Sequence, residues 1–311
     1  MPADPFDLCG IPWAWALATV ALLGALLGSF AGVCIARIPR GRSIVHPGSH
    51  CFDCSAPVAW HDNVPIVSYL LLRGRCRSCG IRFSARALFL EVGLAALFAA
   101  LLWVEFVHGL DVAPELLLAR FAVRALFVLV LVVIAFIDLD TRLILDRISY
   151  PAIPLFIVAA WLTGLRTLPE ALIGAAVGYG VVRLVSDGYY RLTGREGLGY
   201  GDGKLLAIVG GLCGWQGVLF TLFGGSVAGS VIGVSAILWA RRGKPALASP
   251  GPIAPAELTD PAALPGLTDD TVPLRHVELP FGPFLVAAAL AYLFLERVVA
   301  IGLLPWLIGG E

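Results

Sequence analysis

Charge is what this chain has least of. Of 311 residues only 14% are charged, 22 basic side chains balance 22 acidic ones, and 59% are hydrophobic. Mean hydropathy is +0.87. The scarcity excludes an ordinary soluble globular domain, where about a quarter of the residues carry charge. The balance excludes a global field that would gather nucleic acid. Two stretches lack charge altogether: residues 11–36, 26 in number, and residues 205–240, 36 in number. The first is long enough to cross a hydrocarbon core of about 30 Å. The second, as one helix, would reach roughly 54 Å, which is too long, and the glycine-rich residues 211–217 offer a turn, so two spans are expected there. The opening run also lacks a basic n-region and is too long for a signal peptide, so a retained helix is expected. The two halves show no internal similarity of the kind inverted-repeat transporters carry.

What is present reads as an all-α polytopic membrane protein of about eight transmembrane helices. The expected spans are 12–36, 87–106, 117–137, 148–165, 168–187, 203–219, 221–240 and 281–305. Arginine is distributed unevenly between their connections. Arg37, Arg40, Arg42, Arg73, Arg75, Arg77, Arg82 and Arg86 follow the first span, Arg142 and Arg147 the third, and Arg241, Arg242, Lys244 and Arg275 the seventh. Arg183, Arg191, Arg195 and Lys204 surround the fifth connection, whereas the even-numbered ones hold Arg120, Arg124 and Arg166. Basic residues stay cytoplasmic, so the odd-numbered connections are expected inside and both ends outside.

The one sizeable soluble piece, 38–86, is expected to be a small cytoplasmic zinc-knuckle domain between the first two spans. It carries Cys51-Phe52-Asp53-Cys54 and, 21 intervening residues later, Cys76-Arg77-Ser78-Cys79. Two CxxC pairs at this separation suit a tetrahedral four-thiolate zinc site. Two disulfides are the competing account, disfavoured in a reducing compartment. So short a segment builds little core, and a metal staple is physically expected. Cys9, Cys34 and Cys213 lack such spacing and read as small buried apolar residues. The remaining divisions are a first helix (1–37), a membrane core (87–244), a proline-rich linker (245–276) too polar for a core, and a last helix (277–311).

Two carboxylates stand where a bilayer makes them costly. Asp202 lies in Gly199-Tyr200-Gly201-Asp202-Gly203-Lys204 at the mouth of a span, and Asp138 ends another in Ile137-Asp138-Leu139-Asp140. The topology puts both at the arginine-rich face. Brought close, two carboxyl groups share a proton and act as acid and base together, one activating water and the other protonating a scissile carbonyl. The glycines around Asp202 would let the backbone approach a substrate chain closely. Asp140, pointing away from Asp138 on a helix, and Asp146, two turns on, read as solvated or capping residues. A proton-coupled transporter using Asp138 and Asp202 as a relay is the alternative from another class.

The chain resembles the prepilin leader peptidases, polytopic aspartic proteases of type IV pilus and type II secretion systems, over nearly everything except 245–276. The resemblance rests on Gly28-Ser29-Phe30 with Arg37-Ile38-Pro39-Arg40-Gly41, the paired CxxC motifs, and Asn63-Val64-Pro65-Ile66-Val67-Ser68-Tyr69-Leu70. It continues through Leu72-Arg73-Gly74-Arg75-Cys76, Ile137-Asp138-Leu139-Asp140, the GxGD motif ending at Asp202, and Pro280-Phe281-Gly282-Pro283-Phe284. It implies that Asp138 and Asp202 are the catalytic pair and that prepilins or pseudopilins are the substrates, cut at the cytoplasmic face of a bacterial inner membrane. It also implies N-methylation of the new terminus with S-adenosylmethionine. The methyl donor's residues stay unassigned, since no strand-turn-helix glycine fingerprint is present. Leu145-Asp146 stands where the family usually has Pro-Asp. Membrane lipid is an expected partner and nucleic acid is not.

Overall fold

The computed structural model describes residues 12–51, 53–108, 113–194, 199–243 and 280–307. The expectations for Cys9 and for the linker at 245–276 lie outside the described residues. Eight helices follow in order: α1 (Trp13–Arg37), α2 (Val67–Leu71), α3 (Arg86–His108), α4 (Pro114–Thr141), α5 (Asp146–Leu162), α6 (Leu168–Thr193), α7 (Tyr200–Gly243) and α8 (Gly282–Leu307). Among the described residues the only β pairing is two isolated bridges in the cysteine segment. Five helices, α7 taken whole, are long and apolar enough to cross a membrane; α5 has 17 residues, and the described apolar part of α8 is also shorter. The expected span edges agree with the helices to within a few residues, with two exceptions: α6 runs six residues further, to Thr193, and the break in α7 falls at Gly214, inside the expected 203–219 span.

Local chemistry sets the boundaries. Pro114 opens α4 at a position where its missing N–H is no loss. The helix stops because Arg142 turns left-handed and donates its N–H to the Asp138 carbonyl at 2.7 Å. A capping box starts α6: the Thr167 N–H donates to Glu170 Oε2 at 3.0 Å while the Thr167 side chain accepts from the N3 backbone. In α7 the break falls on Gly214, with φ 74° and ψ −178°, inside the glycine-rich stretch expected to turn. Before it, Gly203 and Gly210 face α6; after it, Gly217 faces Tyr292, and Gly229 faces Phe284 and Phe281. The chain past Gly214 therefore returns along α8 towards the end of the bundle where Asp202 lies, which resolves the 36-residue run into two spans.

Without a hydrophobic drive between helices in lipid, close backbone packing has to hold them. Gly174 and Gly178 form a small-xxx-small pair on α6, and a Cβ on them would stand 2.2 Å from the Gly210 and Leu206 carbonyls of α7. Gly24 and Gly28 do the same on α1, against Leu94 and Glu91 of α3. The buried core runs through α4, with Phe127 edge-on to Phe156 of α5 at 5.2 Å.

At the end of the bundle away from Asp138 lies a buried ionic cluster. Arg124 of α4 pairs with Glu105 of α3 and reaches Glu296 of α8 at 3.5 Å, while Arg166, before α6, pairs with the other oxygen of Glu296. Arg120 donates to the Thr163 and Gly164 carbonyls at 2.9 and 3.2 Å, closing the C-terminus of α5. Sequence patterning counted Arg124 as a loop charge. It is buried inside α4, because carboxylates on two neighbouring helices reach it.

Candidate active site and thiolate centre

Three helix ends converge on one cavity of about 500 Å3. Asp138 comes from the last turn of α4, Asp202 from the first turn of α7, and Pro280 with Phe281 from the entry to α8. Arg142, Ile144 and Asp146 complete the wall between α4 and α5. Asp138 is 5% exposed, and its Oδ2 accepts the Gly282 backbone N–H at 3.1 Å. That N–H belongs to the first turn of α8, where no intrahelical acceptor exists, and the following Pro283 has no N–H to compete. The bond engages Oδ2, and no described hydrogen bond engages Oδ1. Asp202 likewise opens its helix, so the positive ends of two helix dipoles face the carboxylate pair.

The proximity of α8 to Asp138 depends on a missing side chain. A Cβ on Gly282 would stand 2.5 Å from Asp138 Oδ2 and 3.1 Å from its Cγ. In the sequence Pro280-Phe281-Gly282-Pro283-Phe284 marks only the start of the span expected at 281–305. The unusual Pro-x-Gly-Pro start was the available signal, but its partner lies 144 residues away. Two of the glycines around Asp202 serve internal packing: a Cβ on Gly201 would meet Ile144 at 3.0 Å, and one on Gly203 would meet Tyr179 and Val182 at 3.4 Å. Only Gly199 is free of such neighbours, its nearest being Asp202 Oδ2 at 3.7 Å.

The other two acids are engaged. Asp140 receives both bonds of an Arg86 nitrogen at 2.8 Å, and Arg86 also donates to the Phe136 carbonyl at 3.1 Å. Asp146 lines the cavity as the first residue of α5 and is paired with Lys204, whose ammonium lies 4.9 Å from the Tyr150 ring centroid.

The four cysteines expected to bind metal come together. Their Sγ atoms all lie within 4.8 Å of one another, with Cys51 3.8 Å from Cys79 and Cys54 4.0 Å from Cys76. A tetrahedron with zinc–sulfur bonds of ~2.3 Å has sulfur–sulfur edges of about 3.8 Å, so the donor set fits. All four are free thiols rather than disulfides. The two knuckles repeat each other bond for bond. Cys51 N–H donates to the Ala56 carbonyl and Ser55 N–H to the Cys51 carbonyl; Cys76 N–H donates to Ile81 and Gly80 N–H to Cys76. The bridges His50–Pro57 and Arg75–Arg82 extend the correspondence. Backbone N–H groups of Cys79 and Ser78 bonded to the Cys76 sulfur hold its thiol down at about 7, while burial and the neighbouring sulfurs push Cys79 up to about 12. Cys34 and Cys213 are buried singly, as small apolar residues.

Comparison with known proteins places these features. The family model described as bacterial peptidase A24 N-terminal domain matches residues 22–105, and that of the type IV leader peptidase family matches residues 125–234. The chain is 32% identical to a prepilin leader peptidase/N-methyltransferase of Myxococcus xanthus, over 92% of this chain and 90% of that one. Proteins of the same description from Aeromonas hydrophila and Pseudomonas putida are 34% and 35% identical, covering 74% and 70% of this chain and 83% and 79% of theirs. No solved structure matches. Nothing in these matches speaks for the transporter alternative.

Proposed function

The chain belongs to the type IV leader peptidase family, and from that premise we propose that it removes the leader of prepilins and pseudopilins with Asp138 and Asp202 as its acid–base pair, then methylates the new N-terminus. One observation carries the assignment: of the acids at this end of the bundle, these two share a cavity without a basic partner of their own in any described ion pair, while Asp140 and Asp146 are matched to Arg86 and Lys204. An unmatched carboxylate pair holds a proton between its members, so one can take a proton from water while the other gives one to the scissile carbonyl. The Gly282 N–H engages one Asp138 oxygen and leaves the other for the substrate. Phe281 and Pro280 close the cavity from the α8 side, which limits bulk water around the reacting bond.

The arginine excess in the segments joined to this end supports putting it at the cytoplasmic face of the bacterial inner membrane. A leader on that side meets the pair in water while its apolar helix stays in lipid. The cut then falls where the chain unwinds between the two. Zinc held by Cys51, Cys54, Cys76 and Cys79 would staple residues 38–86, which have too little core to hold themselves. S-adenosylmethionine would supply the methyl group, and no residue is assigned to it.

The test is mass measurement. Purified protein with added S-adenosylmethionine is incubated with a short-leader prepilin and, separately, with a version whose cleavage-site glycine is moved two helical turns deeper. Loss of the leader from the first only, followed by one added methyl group, is the expected result. Efficient cleavage at the deep glycine would overturn the placement. Metal analysis of the same preparation should find one zinc per chain, and a metal-free protein with four free thiols would overturn the thiolate site.

A further inference from the structure

The short helix α2 presents an apolar face that none of the described residues covers. Val67, Leu70 and Leu71 stand at i, i+3 and i+4, on one side of a helix, and are 50%, 62% and 78% exposed. Ser68, between them, points inward and is buried, its hydroxyl donating to the His61 carbonyl at 3.0 Å. Seven residues before Val67, Trp60 is 85% exposed. Large apolar side chains gathered this way in a soluble segment mark a surface that meets something else.

The position of α2 says what that is. Ile66, the residue before it, donates its N–H to Glu91 Oε2 at 2.7 Å. Glu91 is buried in α3, and the backbone of α1 at Gly28 presses on its Cα. It lies only five residues into that spanning helix, roughly 7–8 Å along its axis. The bond is held against resistance, since Ile66 has φ 63° and ψ −53°, and Val67 N–H closes on the Pro65 carbonyl at 2.6 Å. A branched residue seldom adopts such a backbone. The first turns of α3 thus hold α2 at the level where α1 and α3 enter the bilayer. Arg73 and Arg75, both exposed, follow it immediately. Residues 38–86 together carry seven arginines against two aspartates. Apolar residues beside arginines at this depth match the chemistry of an anionic leaflet, acyl chains below and phosphates above.

We propose that the Val67, Leu70 and Leu71 face of α2 is inserted into the interface of the lipid leaflet, with Glu91 as the anchor that sets its depth. The soluble segment then lies on the membrane beside the aspartate cavity instead of extending away from it. Trp60 is placed at the headgroup level where indole rings settle.

Photo-crosslinking in the intact chain tests this. Leu71→p-benzoylphenylalanine is introduced into the full-length protein, which is reconstituted into nanodiscs containing phosphatidylglycerol and irradiated. Asp53, exposed on the first knuckle, receives the same substitution as control. A lipid adduct several-fold stronger at position 71 than at position 53 is expected. Equal yields, or an adduct at 71 with a second copy or with added prepilin, would overturn the proposal. In the Leu71 background, Glu91→Gln keeps an acceptor for Ile66 and should preserve the lipid adduct, whereas Glu91→Ala should lower it several-fold. Unchanged adduct in Glu91→Ala would remove Glu91 from the anchor role.

Discussion

The two ends of α4 and α8 bury charge in opposite ways. At one end Asp138 meets the Gly282 N–H, and at the other Arg124 meets Glu296. The two contacts are fourteen residues apart on each helix, so the same rise, about 21 Å, separates them on both. In the cluster at the Arg124 end, Arg124, Arg166, Glu105 and Glu296 each take part in an ion pair. At the Asp138 end two carboxylates share a cavity, and the bond described for Asp138 comes from a backbone N–H. In a bilayer an unmatched carboxylate is too costly to keep for structure, and a matched one has no free proton to exchange. On the proposed assignment the comparison separates a chemical end from a structural end of one helix pair, and substitutions at each should fail differently.

The largest effect is expected where charge is unmatched. Asp138→Asn and Asp202→Asn should each lower the cleavage rate by about 10²–10⁴-fold, since each removes one member of the proposed acid–base pair. Thermal unfolding of the solubilised protein should move little. A wild-type cleavage rate in Asp202→Asn would collapse the distinction between the two ends.

Gly282→Ala comes next. Its Cβ would have to stand 2.5 Å from Asp138 Oδ2, so the carboxyl group must move, and displacement of a catalytic group by about an ångström costs on the order of a hundredfold in rate. Single-turnover kinetics should show the loss in the chemical step while methylation of a pre-cleaved pilin continues. Loss of both activities together would mean that α8 as a whole had been dislodged.

At the matched end the order of effects reverses. Glu296→Gln leaves Arg166 and Arg124 short of an anion, and stability should fall by roughly 2–3 kcal/mol, less than for a fully buried pair because Glu296 keeps partial exposure. The unfolding temperature reports this, and the protein that remains folded should cleave at a rate close to the parent. An unchanged unfolding temperature with cleavage abolished would make this cluster part of the chemistry.

Much of this arrangement was legible from residue order. Unbroken apolar runs placed the spans, because a bilayer tolerates little else. Arginine asymmetry put Asp138 and Asp202 at one end, and the CxxC spacing identified four sulfur atoms that do converge. What stayed hidden depends on partners distant in the chain. Glu105, Arg124, Arg166 and Glu296 come from four segments and mean nothing singly, although a carboxylate late in each of two apolar spans was a signal that a cation must be near. The Gly282 N–H is a backbone group and leaves no trace in side-chain pattern. The turn at Ile66 and the helix after it are set by Glu91, so local propensity, which opposes positive φ at isoleucine, pointed elsewhere.

The smallest expected effect lies at the chemical end itself. Asp140 is two residues from Asp138 but is matched, with both oxygens 2.8 Å from one Arg86 nitrogen. If matching decides whether a carboxylate is structural, Asp140 should behave like Glu296 despite its address, and more weakly. Both partners of this pair are partly exposed, with side chains 35% and 42% accessible, and ion pairs in such settings contribute ~0–1 kcal/mol. Asp140→Asn keeps an acceptor oxygen for Arg86, whose bond to the Phe136 carbonyl and contact with the Phe136 ring are untouched. Cleavage of a short-leader prepilin should proceed close to the parent rate, and unfolding should shift by no more than a pair of this kind allows. A loss of cleavage comparable to that in Asp138→Asn, at unchanged stability, would show that position in the chain and not the presence of a partner selects the catalytic acids.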